Sequence, residues 1–334
     1  MNYNGENWLK KFLPIFIKFS SEISEVVVID NGSTDQSIKL LQSDFKDVKL
    51  ITLEKNLGFA GGYNEGLKEL KHDYFIIVNS DIEVTKNWIP PLLRTLKNNP
   101  NVAAVQPKIL NFNKKNEFEY AGAAGGYIDI LGYPFCKGRI FDSLERDNNQ
   151  YNQVSEIFWS SGACMVIKSI DFKKHGGFDA DFFAHMEEID LCWRLKNNGK
   201  SIMYCPESTV FHVGGGTLNY DSPKKTLLNY RNNLWMIHKN FKGKTPLFMI
   251  IISRIILDQI SGLRFLVKGE VKNLIAIYKA QIQYFTNLTS IQNKRKSIKK
   301  TPLKEMKGVL NHVVIWKYFV NQKRIFTEIT NTND

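Results

Sequence analysis

Short apolar runs alternate with amphipathic segments over the first two thirds of the chain. Continuous β-branched runs such as residues 25–30 are typical of strands that are buried on both faces of a sheet. The runs that predict strands are 25–30, 48–53, 74–78, 102–107, 163–167, 201–204 and 209–212. Helical spacing of apolar residues predicts helices at 7–21, 34–43, 63–71, 87–98 and 187–197, with a loop over 56–62. This alternation predicts an α/β fold with a largely parallel sheet.

The last third of the chain has a different pattern and a different charge. Beyond residue 225 the spacing is helical, with apolar faces in 247–267 and 271–285. Residues 221–334 carry 21 Lys and Arg against 6 Asp and Glu, a net charge of +15, whereas residues 1–220 carry −3. We therefore predict an α/β domain over 1–220 and a basic, amphipathic helical region over 221–334.

Composition narrows the class of protein. The chain has 334 residues, of which 43% are hydrophobic and 23% charged, so it is long and apolar enough for a globular core. Its four cysteines are scattered without a Cys-x-x-Cys pair, which favours a reducing, cytoplasmic setting. The most apolar stretch, 247–267, is interrupted by Arg254, Asp258 and Arg264, so we expect no membrane-spanning helix.

Two acidic residues stand where predicted strands end. Asp30 closes the strand 25–30, and Asp81 follows the strand 74–78. Ligands of open α/β sheets bind beyond the carboxyl ends of strands, so both are candidate ligand contacts. No glycine-rich dinucleotide motif or P-loop is present, so a bound diphosphate would need a cation, and Asp81 is the candidate to hold it. The alternatives are a turn or helix-cap role for Asp30 and a solvated loop position for Asp81.

A second acidic cluster opens the predicted helix 187–197. Glu187, Glu188 and Asp190 lie within four positions, and Arg194 follows Asp190 by four residues as its expected ion-pair partner. Carboxylates at a helix start also complement the helix dipole, which would explain them without a chemical role. Alternatively, their crowding raises the proton affinity of one of them and makes it a general base.

One histidine is a candidate ligand. His212 closes the predicted strand 209–212 and is followed, after Val213, by three glycines that permit close backbone approach. A lone histidine is more often structural, and that interpretation stays open.

Six short motifs occur in order along residues 2–216. They are Val-Val-Ile-Asp-Asn-Gly-Ser-Thr-Asp (27–35), Asn-Leu-Gly-Phe-Ala-Gly-Gly-Tyr-Asn-Glu-Gly (56–66), Val-Asn-Ser-Asp (78–81), Gly-Gly-Phe-Asp-x-x-Phe-Phe (176–183), Glu-Glu-x-Asp-Leu (187–191) and His-x-x-Gly (212–215). This ordered set resembles inverting glycosyltransferases of family 2, especially the rhamnosyltransferase-like branch of bacterial surface polysaccharide assembly. The resemblance implies a GT-A fold, a Rossmann-like, mostly parallel sheet flanked by helices, here with a C-terminal helical extension.

The resemblance also implies a donor site. Tyr3 and Asp30 would help to hold the nucleobase of a nucleoside-diphosphate sugar. Asn79 and Asp81 are the first and last residues of the metal motif, here Asn-Ser-Asp, and Asp81 would bind Mn²⁺ or Mg²⁺ on the diphosphate. His212 would complete the metal site.

The implied reaction is a single displacement with inversion at the anomeric carbon. The family's base is the second acid of a Glu-Asp pair, which corresponds to Glu188, with Glu187 as a second candidate. The base takes a proton from a hydroxyl of a glycan or lipid-linked acceptor, and the metal stabilises the departing nucleoside diphosphate. The resemblance favours dTDP-rhamnose as donor, then UDP-sugars, then GDP-sugars.

One departure from the family concerns the start of the chain. Family members have an apolar strand before the Asn-Tyr-Asn-Gly segment, whereas Met1 stands directly ahead of it here. We therefore expect the first strand of the sheet to be missing, which would weaken the nucleotide site. The missing strand is one departure from the family, and Glu188 in place of the family's aspartate is another. Both keep a non-catalytic nucleotide-sugar-binding or scaffold protein as the alternative.

The basic C-terminal region is expected to contact an anionic membrane surface, peripherally, on the inner face of the cell membrane. Its predicted apolar face consists of Leu247, Ile250, Ile251, Ile255, Leu263, Phe265 and Leu266. The alternatives are a helical subdomain packed on the catalytic domain and a homodimer interface. We expect no nucleic-acid partner, because no aromatic-interleaved basic motif is present.

Overall fold

The computed structural model describes residues 1–119, 122–214 and 222–331. Its helices are α1 (Glu6–Ser20), α2 (Ser37–Asp44), α3 (Gly58–Leu67), α4 (Ile89–Asn98), α5 (Ser169–Lys174), α6 (Glu187–Asn197), α7 (Pro223–Asn240), α8 (Leu247–Val267), α9 (Val271–Thr286), α10 (Leu288–Ser297) and α11 (Phe326–Thr330). Its strands are β1 (Val27–Asp30), β2 (Lys49–Thr52), β3 (Tyr74–Val78), β4 (Ile82–Val84), β5 (Val102–Asn111), β6 (Gly126–Asp129), β7 (Pro134–Cys136), β8 (Arg139–Ile140), β9 (Ser143–Leu144), β10 (Ser155–Ile157), β11 (Cys164–Lys168), β12 (Ser201–His212) and β13 (Val309–Leu310).

The central sheet has six strands and is mixed. Its order is β10-β12-β5-β11-β3, and β4 pairs with the far end of β12. Strands β5 and β12 are parallel, whereas β11 runs antiparallel between β5 and β3. The predicted α/β architecture is confirmed, but the sheet is mixed and not largely parallel, because β10 and β4 also run antiparallel to β12.

Helices cover both faces of this sheet. Along β11, Cys164 and Val166 pack into one hydrophobic cluster, with residues of α1 and α4, and Met165 and Ile167 pack into the other, with residues of α3 and α6. This alternation follows from the two-residue period of a strand. Both faces are buried, as the continuous apolar runs predict.

Strands β1 and β2 form a separate parallel pair. The N-terminal residues lie next to this pair, with the amide of Asn2 donating to the Ile29 carbonyl and the amide of Asn31 donating to the Asn2 carbonyl. Beyond Asn2, no strand of the described residues joins β1 to the six-stranded sheet.

Several predicted boundaries differ from the structure. The glycine-rich segment predicted as a loop already belongs to α3, which begins at Gly58. The two strands predicted at 201–204 and 209–212 are a single strand, β12, with an irregularity between Cys205 and Thr209. Helix α2 starts at Ser37, later than predicted, because the preceding Ser33 bonds to Asp30 instead of capping the helix.

The region after residue 222 packs on the rest of the chain. Helix α7 contacts both α6 and α9, and residues as distant as Ile29, Leu234 and Ile329 share one hydrophobic cluster. This region is not purely helical, because β13 pairs with β6 in a second sheet of order β13-β6-β7-β8-β9. The described part of the extension is otherwise mainly helical, as expected, with α7–α11.

Candidate active site

A cavity of about 640 Å³ brings most of the predicted site residues together. Six of the seven line its wall, namely Tyr3, Asn79, Asp81, Glu187, Glu188 and His212. They come from the N-terminal segment, the end of β3, the start of α6 and the end of β12, which are far apart in sequence. Asp30 is the predicted residue that does not line this cavity.

Asp81 and His212 are neighbours in the cavity wall. His212 Nε2 lies 3.3 Å from Asp81 Oδ1, and both residues are buried. Antiparallel pairing of β4 with the end of β12 places them together, because His212 pairs with Ile82, the residue after Asp81. One carboxylate oxygen and one imidazole nitrogen therefore converge at the end of the central sheet.

Glu119 lies on the other side of the His212 ring. His212 Nδ1 is 3.2 Å from Glu119 Oε2, and Glu119 is buried. Burial lowers the pKa of His212, but the charges of Glu119 and Asp81 outweigh it and raise the pKa to about 10. A carboxylate behind a histidine is the arrangement that orients histidine ligands toward metals.

The donor set of this pair fits a divalent cation. An oxygen from Asp81 suits Mg²⁺ or Mn²⁺, and the imidazole of His212 favours a transition metal such as Mn²⁺. Within the described ranges no group of three or more His, Cys, Asp or Glu side chains is placed to hold a metal. At phosphate-bound metals, phosphate oxygens and water commonly supply further ligands.

Glu187 and Glu188 are the first two residues of α6, and each has one carboxyl oxygen without a hydrogen-bond partner. The Oε2 atoms of both residues are shielded from water and unpaired. Burial raises the pKa of Glu188 to about 7, although backbone amides at the helix start oppose the shift. Burial and then the charge of Glu188 raise the pKa of Glu187 well above its ordinary value. For Glu188 the main cause is thus burial and not the crowding expected from the sequence.

Asp190, the third acid of the cluster, is structural. It accepts a hydrogen bond from Arg194 Nε at 2.8 Å, as predicted, and also contacts Lys239 Nζ at 2.9 Å and Asn240 Nδ2 at 2.8 Å. Burial raises the pKa of Asp190, but the charges of Lys239 and Arg194 outweigh it and hold the pKa below its usual value. This network joins α6 to α7.

The segment ahead of α6 has an unusual backbone. Phe183, His185 and Met186 all have positive φ, between 64° and 73°. Gly58 of α3 approaches this segment so closely that a Cβ there would lie 2.4 Å from the Phe183 carbonyl oxygen, and its own φ is +75°. Asn232 of α7 reaches the same segment, with Nδ2 at 2.7 Å from the carbonyl oxygen of His185. These contacts fix where Glu188 enters the cavity.

Asp30 is placed differently from the expectation drawn from the resemblance. Its carboxylate is fully buried and accepts hydrogen bonds from Asn2 Nδ2, Ser33 Oγ and the Ser33 amide. The Asp-Asn-Gly-Ser turn is thus held by Asp30 itself. Asn31 lies in the cavity wall instead. Its side-chain Nδ2 donates hydrogen bonds to Asn56 Oδ1 and to the Gly58 carbonyl oxygen.

Four residues of this site escaped sequence reasoning, namely Asn31, Glu119, Asn232 and Arg254. Each makes contacts with residues far away in sequence, so no local pattern assigns its role. Asn31 lies in the motif 27–35, Arg254 interrupts the apolar stretch 247–267, and Asn232 belongs to the polar run 231–233.

Comparison with known proteins gives consistent similarities. A hexosyltransferase of low-salt glycan biosynthesis, Agl10 of Haloferax volcanii, is 25% identical over 307 residues, covering 88% of this chain and 90% of that protein. An N-acetylglucosaminyl-diphospho-decaprenol L-rhamnosyltransferase of Mycobacterium tuberculosis is 26% identical over 230 residues, covering 64% of this chain and 74% of that protein.

Two solved structures share the fold. A mannosyltransferase from Pyrobaculum calidifontis, in complex with GDP-Man and Mn²⁺, has a TM-score of 0.50 at 13% identity, covering 89% of this chain and 85% of that one. GalNAc-T7 with UDP, GalNAc and Mn²⁺ has a TM-score of 0.54 at 16% identity, covering 71% of this chain and 46% of that one. This chain thus aligns with less than half of GalNAc-T7.

The architecture and these similarities define the class as a glycosyltransferase with a GT-A fold. The family model for glycosyl transferase family 2 matches residues 1–172, about half of the chain. The chain belongs to that family and is a glycosyltransferase.

Proposed function

We propose that this enzyme transfers a sugar from a nucleoside-diphosphate donor to a hydroxyl of a glycan or lipid-linked acceptor, by a metal-assisted single displacement with inversion. The proposal rests on the observation that Glu188 and the Asp81–His212 pair line the same cavity. A free carboxylate and a convergent oxygen–nitrogen pair are the two groups that such a displacement needs.

Glu188 is the proposed general base. Its unpaired Oε2 and a pKa of about 7 suit a group that accepts a proton from an acceptor hydroxyl near neutral pH. The segment 183–186, held by α3 and α7, keeps this carboxylate at the cavity wall. Glu187 remains the second candidate because its Oε2 is also unpaired.

Asp81 and His212 are the proposed ligands of a divalent cation, with Mn²⁺ favoured over Mg²⁺ by the imidazole. The cation would neutralise charge that develops on the departing nucleoside diphosphate. Tyr3, Asn31 and Asn79 line the same cavity and are the proposed contacts of the nucleotide. Asp30 would contribute to nucleotide binding indirectly, because its hydrogen bonds hold the turn that contains Asn31.

For the donor, we propose dTDP-rhamnose first, then UDP-sugars, then GDP-sugars. Similarity to a rhamnosyltransferase over 64% of this chain supports this order, and similarity to a hexosyltransferase over 88% supports transfer of a hexose more generally.

The thermal stability of the full chain tests donor class and metal together. It is measured with dTDP, UDP and GDP, each with and without Mn²⁺. A nucleotide at 100 times its Kd stabilises the folded state by about 2.7 kcal/mol, which raises the melting temperature measurably. We expect one nucleotide to stabilise the protein only when Mn²⁺ is present, and Asp81→Asn to abolish that shift. A shift that Asp81→Asn leaves unchanged would rule out the metal assignment.

We also propose that the enzyme binds an anionic membrane surface, at the cytoplasmic face, through α8 and α9. Among the helices of residues 1–119, 122–214 and 222–331, none has the length and hydrophobicity of a membrane span. Both helices nevertheless turn a stripe of apolar side chains to solvent. We call this the apolar face: Met249, Ile252, Ile256, Ile260, Leu263 and Val267 on α8, and Val271, Ile275, Tyr278, Ile282 and Phe285 on α9.

The apolar face differs from the one expected from the sequence. Of the residues predicted there, Ile250 and Ile251 are buried, and Leu247 and Ile255 pack against the core. Leu263 and Leu266 are exposed. Helix α8 thus buries Arg254 and Asp258 beside apolar residues and exposes Ile252, Ile256 and Ile260, whereas charged residues usually cover the outer face of a helix in water.

Charge supports a membrane as the occupant of this face. Exposed Arg264, Lys268, Lys272 and Lys279 flank the stripes, against two acids, the exposed Asp142 that pairs with Arg264 and the half-buried Glu270. Lysines beside an exposed apolar stripe are typical of helices that lie in the interface of anionic bilayers. A second copy of the chain would have to bring these like charges together.

A further inference from the structure

Arg254 is a buried cation with unused hydrogen-bond donors. Its side chain is 4% exposed, and neither Nε nor Nη1 has a hydrogen-bond partner. The nearest carboxylate of its own helix is that of Asp258, whose Oδ1 lies 3.8 Å from Arg254 Nη2, beyond hydrogen-bond distance. Buried guanidinium donors without partners are costly, so they indicate a place for an anionic ligand.

Arg254 also belongs to the wall of the catalytic cavity. Its guanidinium carbon lies 4.4 Å from the centre of the Tyr133 ring, another wall residue, so the ring supports the planar group. Arg139, Lys224 and Lys225 line the cavity as well. The cavity therefore contains a cationic group of side chains in addition to its acids, Asp81, Glu187 and Glu188.

The position of Arg254 on α8 suggests which anion it meets. At 100° per residue, Arg254 lies opposite the stripe that contains Met249, Ile256 and Val267. One helix thus presents a buried cation to the cavity and apolar side chains to the proposed membrane. An acceptor with an apolar chain and a phosphate would find a contact for each part on this helix.

We infer that Arg254 binds the phosphate through which the acceptor sugar is joined to a lipid. The inference rests on the proposed function and deepens it, because it names the acceptor class as a sugar on a lipid phosphate or diphosphate. The donor also contains a diphosphate, but the proposed cation at Asp81 and His212 already neutralises that group. Arg254 is therefore assigned to the acceptor and not to the donor.

Calorimetric titration with geranyl diphosphate, a short apolar diphosphate, tests this assignment on the full chain. We expect it to bind in metal-free buffer and also after saturation with the nucleotide and Mn²⁺ that stabilise the protein. Geraniol, which has the same chain without phosphate, should bind at least tenfold more weakly. Arg254→Gln should weaken geranyl diphosphate binding at least tenfold while the nucleotide shift is retained. The control Arg94→Gln, an exposed arginine on α4 outside the cavity lining and the apolar face, should bind as the wild type does.

Two results would overturn the inference. One is unchanged geranyl diphosphate binding by Arg254→Gln. The other is competition between geranyl diphosphate and the nucleotide with Mn²⁺, which would assign Arg254 to the donor. The competition arm uses only the wild-type chain, so it decides the matter even if Arg254→Gln does not fold. If no nucleotide with Mn²⁺ raises the melting temperature of the wild type, the proposed function is refuted instead. The thermal-shift experiment and the titration with geranyl diphosphate therefore test the proposed function and the role of Arg254 separately.

Discussion

The side-chain amide of Asn232 lies 2.7 Å from the carbonyl oxygen of His185 and 2.9 Å from those of Phe182 and Ala184. A single buried side chain on α7 thus holds the segment that leads into α6. That segment has positive φ at three non-glycine residues, a conformation that costs about 1–3 kcal/mol each and needs external support. Asn232 is a positioning residue for Glu188, because it touches the loop and not the proposed reacting atoms.

Replacing Asn232 by alanine should lower kcat by about 10- to 100-fold, because a displacement of about 1 Å in a catalytic group has effects of that size. Nucleotide binding with Mn²⁺ should persist, since Asn232 is not among the residues that line the cavity. Steady-state kinetics and thermal shifts measure the two effects. Asn198→Ala is the control, because the Asn198 side-chain amide also donates to a backbone carbonyl, that of Arg194, but at the far end of α6. Equal losses of kcat and nucleotide binding in Asn232→Ala would contradict a positioning role.

Glu188→Gln should reduce transfer by about 10²- to 10⁴-fold, the usual contribution of a general base. The amide keeps the shape of the side chain but cannot accept the proton from the acceptor hydroxyl. Glu187→Gln, one residue earlier in α6, serves as the comparison and should retain more activity. Transfer assays with a labelled donor measure both variants. If Glu188→Gln transfers at the wild-type rate while Glu187→Gln does not, Glu187 is the base.

The rate of transfer should rise as the pH increases through about 7 and level off above it. Burial disfavours the charged carboxylate of Glu188 and raises its pKa to about 7, and the base acts in its charged form. Single-turnover rates between pH 5.5 and 8.5 test this, with circular dichroism confirming that the fold persists. A rate independent of pH across this range would show that no group with such a pKa limits the reaction.

Asp190→Asn should destabilise the protein by about 3–5 kcal/mol, because it leaves Arg194 without its buried counter-charge and removes one of the two carboxylates at Lys239, the other being Asp179. The lowered pKa of Asp190 means that its contribution to stability is present above its ordinary pKa and is lost as the pH falls toward the lowered value. Urea unfolding at neutral pH measures the free energy. Asp142→Asn, an exposed partner of Arg264, should change it by less than about 1 kcal/mol. A similar small change for Asp190→Asn would show that the network is not needed for stability.

Ile256→Glu together with Ile282→Glu should reduce binding to vesicles that contain anionic lipid by at least tenfold. Both side chains are more than half exposed, so the substitutions should not affect unfolding. Each places a carboxylate where an apolar side chain would enter the lipid interface. Ile170→Glu, at an exposed position on α5, is the control. If co-sedimentation is unchanged but the double variant alters the molecular mass in solution, the apolar face is a dimer interface.

The sequence by itself determined the alternation of strands and helices, the acidic strand end at Asp81 and the acids that open α6. These features are local, because apolar periodicity and short motifs reflect neighbouring residues. It also predicted the Asp190–Arg194 pair, since four residues make one helical turn. The family followed from the order of motifs, and the match over residues 1–172 agrees with it.

Only the tertiary structure decided which side chains meet across long sequence distances. Pairing of β4 with β12 places Asp81 beside His212, packing of α7 places Asn232 against His185, and folding back of α8 brings Arg254 to the cavity. It also shows Asp30 in a buried turn outside the cavity lining, and an exposed apolar face that keeps the predicted Leu263 but otherwise consists of other residues of α8 and of α9. The physical reason is that burial and charge compensation depend on all neighbours in space, whereas a sequence pattern records only neighbours along the chain.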